Sequence, residues 1–133
     1  MKTPPIAKPD DVDTRSKILS GNLDLSRLAD AGSATLLIGH FDVLRREHAR
    51  AVEQAGHPLI AVVLQKADAI LPLRARAELA AGLRAVNHVV TAAEAEVDGI
   101  VAAVQPARVL RLVEQERQWA VQLKDRARRH GAR

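Results

Sequence analysis

The chain has 133 residues, 47% hydrophobic and 27% charged, a balance expected of one globular domain and unlike that of disordered or fibrous chains. It has no cysteine, which excludes a disulfide framework, a thiolate zinc site and a cysteine nucleophile together. The formal net charge of +4 is unevenly spread: residues 108–133 hold eight Lys/Arg against three Asp/Glu, and the rest is slightly acidic.

Residues 1–16 carry Pro4, Pro5, Pro9 and the acidic Asp10, Asp11 and Asp13, and read as a flexible N-terminal arm. No apolar segment follows Met1, so the expectation is a cytoplasmic protein without a secretory leader. No apolar run approaches the ~18–20 residues of a membrane span. From residue 17 to 133 the pattern predicts one α/β domain that includes the C-terminal helix. A short helix is expected from Leu23 to Ala31, with Asn22 as N-cap and Gly32 at its end.

Thr35-Leu36-Leu37-Ile38 is a continuous apolar run stopped by Gly39, as in a strand buried on both faces. Residues 45–55 have helical spacing and close on Gly56. Leu59 to Leu64 reads as a second buried strand. Pro72 to Val86 reads as a helix, with proline in a first-turn position. His88-Val89-Val90 predicts a third strand, Glu94 to Ala103 a short helix broken by Pro106, and Arg108 to Leu112 a fourth strand. A last helix is expected from Glu114 to Arg129.

Strands alternating with helices over short loops predict a single doubly wound, mostly parallel sheet with helices on both faces. Such sheets take ligands at the carboxyl ends of their strands, where the strand order reverses, so the loop after Gly39 is the place for chemistry. The five histidines, 40, 48, 57, 88 and 130, show no metal-ligand spacing beyond His40 and His48, and no metal site is expected. Lys124, Arg126, Arg128 and Arg129 end the last helix, where its dipole favours cations. With only two aromatics, Phe41 and Trp119, the tail lacks the stacking surface of a nucleic-acid contact. Trp119 reads as a core or dimer anchor.

The segment from Gly39 to His48, Gly-His-Phe-Asp-Val-Leu-Arg-Arg-Glu-His, resembles the G-x-F-D-x-x-H-x-G-H signature of the cytidylyltransferase-like nucleotidyltransferases. Within them it looks most like heptose-phosphate adenylyltransferase domains and glycerol-phosphate cytidylyltransferases. The resemblance runs over residues 17–112 in element order. It takes in Lys17-Ile18-Leu19-Ser20, Leu59 to Leu64, the stretch from Leu71 to Val90 with Arg76, Ala77 and Glu78, and Asp98 to Leu110 with Gln105-Pro106.

This resemblance implies a Rossmann-like nucleotidyltransferase fold. It also implies transfer of a nucleotidyl group from CTP or ATP, accompanied by Mg²⁺, to a small sugar or alditol phosphate, with release of pyrophosphate. The catalytic candidates it implies are His48, which matches the second motif histidine; Arg45, in the place of the first; and Lys66, where a cation for the acceptor phosphate is often found. The nucleotide-binding candidates are Gly39, His40, Phe41, Asp42 and, on the last helix, Arg117. A homodimer is expected by the same likeness, with no nucleic-acid or membrane partner.

Departures stand beside these matches. Arg45 replaces the first motif histidine, Glu47 occupies the place of the motif glycine, Asn87 that of an aspartate, and no Ser or Thr follows Thr91, where the family usually has a Ser/Thr-rich phosphate motif. They carry a second expectation, of a catalytically inactive member acting as a binding or assembly module. Whether Glu47 faces the pocket bears directly on the choice.

Overall fold

A computed structural model describes residues 14–19 and 34–131, the side chains of the last three excepted. The expected helix over Leu23–Ala31, and residues 1–13 of the arm expected over 1–16, lie outside the described residues; Thr14 to Ser16 of that arm belong to a 3-10 turn.

Among the described residues five strands, β1 (Ile18–Leu19), β2 (Thr35–Gly39), β3 (Leu59–Leu64), β4 (His88–Ala92) and β5 (Arg108–Arg111), form one sheet in the order β1-β4-β3-β2-β5. Every pairing is parallel. Among the described residues four α-helices accompany them: α1 (Arg46–Gln54), α2 (Leu73–Ala81), α3 (Val97–Val104) and α4 (Val113–Gly131). The fold is α/β and Rossmann-like, as the alternation of strands and helices predicts. No helix among the described residues is long and apolar enough to cross a membrane.

The two continuous apolar runs take the middle of the sheet. In β2 and β3 every residue is buried, because helices cover both faces and side chains pointing either way must be apolar. Leu36, Ile38, Ile60 and Val62 pack under α3 through Val97, Ile100 and Val104. On the opposite face Leu37, Phe41, Ala61 and Val63 meet α1 and α2 through Val52, Ala77 and Ala80. The alanines let α2 lie close to the sheet, and any larger side chain there would overpack it.

Several elements differ from expectation; β4 runs on to Ala92 and β5 stops at Arg111. Helix α2 stops at Ala81: Gly82 N still donates to Glu78 O at 3.0 Å, but Leu83 N and Val86 N make three-residue turns to Ala80 O and Leu83 O in place of helical bonds. The expected helix from Glu94 begins as a 3-10 turn, Glu94–Glu96, before α3 takes over. Strand β1 is a two-residue edge strand, too short to show a pattern; Ile18 pairs with Val89 and Leu19 with Val90. Just before it, Thr14–Lys17 forms a 3-10 turn, and Lys17 Nζ donates to Leu83 O at 3.3 Å.

Strand order reverses between β2 and β5: from β2 the chain crosses outward to β3 and β4, then returns to the other side of β2. The crevice of a doubly wound sheet opens at such a point, beyond the carboxyl ends of the two strands. Gly39-His40-Phe41 and the first turn of α4 meet there.

Candidate functional site

After Gly39 the chain makes a tight loop that needs unusual backbone. Phe41 has φ of 51° and Val43 of 65°, left-handed values that a β-branched valine adopts only at a cost. Three interactions hold this shape. Asp42 accepts hydrogen bonds from the amides of Ile70 and Leu71 at 2.8 and 2.9 Å. Phe41 is fully buried, its ring 5.4 Å from that of His48. Arg76, 2% exposed on α2, donates from Nη1 to His40 O at 2.9 Å and to Leu64 O at 2.7 Å, and from Nε to Leu71 O at 3.0 Å. Burial raises the Asp42 carboxyl, but the two amides, then Lys66 and Arg76, outweigh it and hold the group below its ordinary value.

The loop aims its amides at one point. His40 N donates to Glu116 Oε1 at 2.9 Å, and Phe41 N donates to Glu116 Oε2 at 2.9 Å. His48 Nε2 meets the same Oε2 at 2.8 Å. The imidazole has a defined orientation: Arg45 N donates to His48 Nδ1 at 3.0 Å, so Nε2 carries the hydrogen that goes to the carboxylate. Trp119 stands edge-on to His48 at 5.1 Å and closes the other side. Three N–H groups thus converge on one oxyanion, and His40 Nδ1 lies 3.7 Å from Oε1 as well.

Gly39 is matched to this occupant. A Cβ added there would lie 3.0 Å from Glu116 Oε2 and 3.1 Å from Oε1, so the carboxylate would have to give by a few tenths of an ångström; the missing side chain leaves it in place against the amides. Desolvation raises the Glu116 carboxyl; the hydrogen bond from His48 and the amides of His40 and Phe41 overcome it and hold it below the usual carboxylate range. The group is an anion in a site made for one.

Of the residues expected at the site, Gly39, His40, Phe41 and His48 come together around this point. Arg45 contributes through its backbone, and its side chain lines a separate groove with Glu47, Trp119 and Arg126. Lys66 lies 3.8 Å from Asp42 and 3.6 Å from Asp68. Asp42 itself fastens the loop. Arg117 is exposed and lies 3.7 Å from Glu114, one turn back on its own helix.

Two of the departures acquire a different meaning. Glu47 lines the grooves beside Trp119, one of about 520 Å³ between α1 and β5. The amides of His40 and Phe41 are taken by Glu116, and the negative charge at this point comes from that residue instead. Asn87 sits before β4 at the amino end of the sheet, where its Oδ1 accepts from Leu59 N at 2.8 Å. It is a strand-end lock, remote from the crevice. Glu116 is the residue that sequence reasoning passed over, because its place opposite Gly39 follows only from the packing of α4.

No protein-family model matches the chain, and no curated protein does. Among solved structures, the crystal structure of the lipopolysaccharide core biosynthesis protein from Thermoplasma volcanium GSS1 is similar, with a TM-score of 0.54 and 21% identity. The match covers 58% of this chain and 71% of that one. At that identity the likeness is one of fold, and it agrees with the parallel, doubly wound sheet.

Proposed function

We propose that the protein has a nucleotidyltransferase-like role, binding a phosphate of CTP or ATP in the crevice and passing the nucleotidyl group to a small phosphorylated acceptor. One observation carries this reading: His40 N, Phe41 N and His48 Nε2 converge on a single oxyanion at the carboxyl end of β2. Donors already aimed at the two oxygens of one anionic group suit a reaction in which charge grows on a transferring phosphate. In the transfer, an acceptor phosphate oxygen bonds to the α-phosphorus, the bond to the bridging oxygen breaks, and pyrophosphate leaves with the electron pair. The Phe41 amide and His48 would donate to one non-bridging oxygen and the His40 amide to another, and Asp42 and Arg76 would keep the loop in shape. Mg²⁺ would arrive with the triphosphate as part of the substrate.

The fold likeness to a protein named for lipopolysaccharide core biosynthesis supports a sugar phosphate as the acceptor. The test is pyrophosphate release with CTP and ATP against a panel of sugar and alditol phosphates. Release that depends on the acceptor is expected, and silence from folded protein overturns the reading.

A specific observation favours a second reading, a non-catalytic binding or assembly module. The donors that would serve a phosphate are engaged by the chain's own Glu116, and Arg117 and Lys66 both lie beside carboxylates. Under this reading neither nucleotide binds appreciably, which calorimetry with Mg-CTP and Mg-ATP measures directly.

A further inference from the structure

Glu116 fills the place where an external anion would sit, and it fills it well. Its two oxygens take three N–H donors at 2.8 to 2.9 Å, and its side chain is only 11% exposed. Gly39 leaves the space that the carboxylate occupies. The residue belongs to the first turn of α4, and its own amide donates to Leu112 O at 2.7 Å. Leu112 N in turn donates to Ile38 O at 2.7 Å, extending the β2–β5 ladder. The carboxylate is therefore tethered to the same sheet that presents the loop, and its effective concentration at the nest is high.

We propose that Glu116 is an internal competitor: a built-in carboxylate that any phosphate-bearing ligand must displace, so that the wild-type nest is closed to external oxyanions until the side chain swings out. This rests on the reading of the nest as a phosphate site. The apparent affinity of such a site is its intrinsic affinity reduced by the fraction of molecules in which the nest is open. A second anion cannot share the nest, because its few donors are already engaged and like charges at contact repel. Neutralising Glu116 without removing its bulk weakens its hold, since hydrogen bonds to an ionised acceptor are the stronger ones. Removing the side chain frees all three donors at once.

The experiment measures binding of inorganic phosphate and of pyrophosphate to wild type, Glu116→Gln and Glu116→Ala by calorimetry. In parallel, the His48 ring nitrogens are followed by NMR. Wild type is expected to bind either anion at least about tenfold more weakly than Glu116→Ala, with Glu116→Gln between them. The His48 Nε2–H signal is expected to shift when Glu116 is removed and to shift back when phosphate saturates Glu116→Ala. Equal affinity, within a factor of about two, in wild type and a folded variant overturns the proposal.

A measurement on wild type alone keeps the proposal testable if neither variant folds: the Glu116 carboxylate carbon signal should move in step with phosphate occupancy, because binding displaces the side chain. Saturable phosphate binding at the nest with that signal unmoved overturns the proposal. The transferase reading fails separately. Phosphate binding by Glu116→Ala without pyrophosphate release in any form supports the competitor and removes the transferase. Acceptor-dependent release by wild type, with no gain in phosphate affinity on substitution, does the reverse.

Discussion

Two residues 77 positions apart in sequence are matched to each other at the centre of the crevice: Gly39, which has no side chain, and Glu116, whose carboxylate uses the vacant space. Gly39→Ala is expected to lower stability by about 1–3 kcal/mol, the usual cost of overpacking, because three hydrogen bonds hold the carboxylate that would have to give way. In a Glu116→Ala background the same change should cost about 1 kcal/mol less. Urea denaturation of the four proteins in that cycle measures the coupling, and a cycle that closes at zero disproves the match. A linked expectation concerns acid. The carboxyls of Glu116 and Asp42 lie below their ordinary 4.5 and 3.8. A depressed carboxyl contributes stability that is complete above its unfolded value and disappears as pH falls through its folded value. Unfolding midpoints should therefore fall steeply below pH 4.5. Glu116→Gln should be less stable than wild type at pH 7, converge with it at low pH and show a shallower acid limb.

Helix α2 serves the site without touching the nest. Its Arg76 ties three backbone carbonyls from different places, His40 in the loop, Leu64 at the end of β3 and Leu71 before the helix. A planar guanidinium can span such acceptors in fixed directions, and the flexible ammonium of lysine cannot. Arg76→Met leaves these carbonyls short of donors in a buried position and is expected to cost about 3 kcal/mol. Arg76→Lys should recover only a minor part. Amide exchange resolves the positional consequence: protection at Phe41 and Ile70 should fall further than at Ile60 in the middle of β3. Uniform loss across the sheet would show that Arg76 is merely a core residue.

At the scale of the whole molecule, charge and structure separate. Residues 121–128 of α4 are all exposed, and the positive excess is concentrated beyond Leu123. Removing residues 124–133 takes away five Lys/Arg and one Asp, bringing the formal net charge from +4 to zero. Stability is expected to change by no more than ~0.5 kcal/mol, as for surface changes without buried partners. A larger drop in the urea midpoint would place the tail in the fold's core interactions. Shortening the helix to end before Trp119 is a different matter, because that ring packs against His48.

The order of strands and helices was legible because each period has a local cause. Doubly buried strands must be apolar throughout, as Leu59 to Leu64 is, and helices that cover them repeat their apolar positions every three or four residues. Gly39 and Gly56 marked element ends for equally local reasons; Gly56 has a φ of 83° that suits a residue without a side chain. His48, Phe41 and His40 were legible as site candidates because they lie in one loop and the helix it enters. What filled their site was not. Periodicity could not tell which side of α4 faces the nest, so Arg117 stood out as the cation while its neighbour Glu116 makes the contact. Glu47 looked obstructive from its place in a motif, and Asn87 looked like a lost ligand; helix rotation sets the first aside, and the sheet puts the second at its far end. The sequence by itself determined a parallel α/β sheet and where its crevice would open, since these follow from local burial patterns. Only the tertiary structure decided that the crevice holds the chain's own carboxylate, because that contact joins residues 68 to 76 positions apart, and their meeting depends on the packing of α4 against β2.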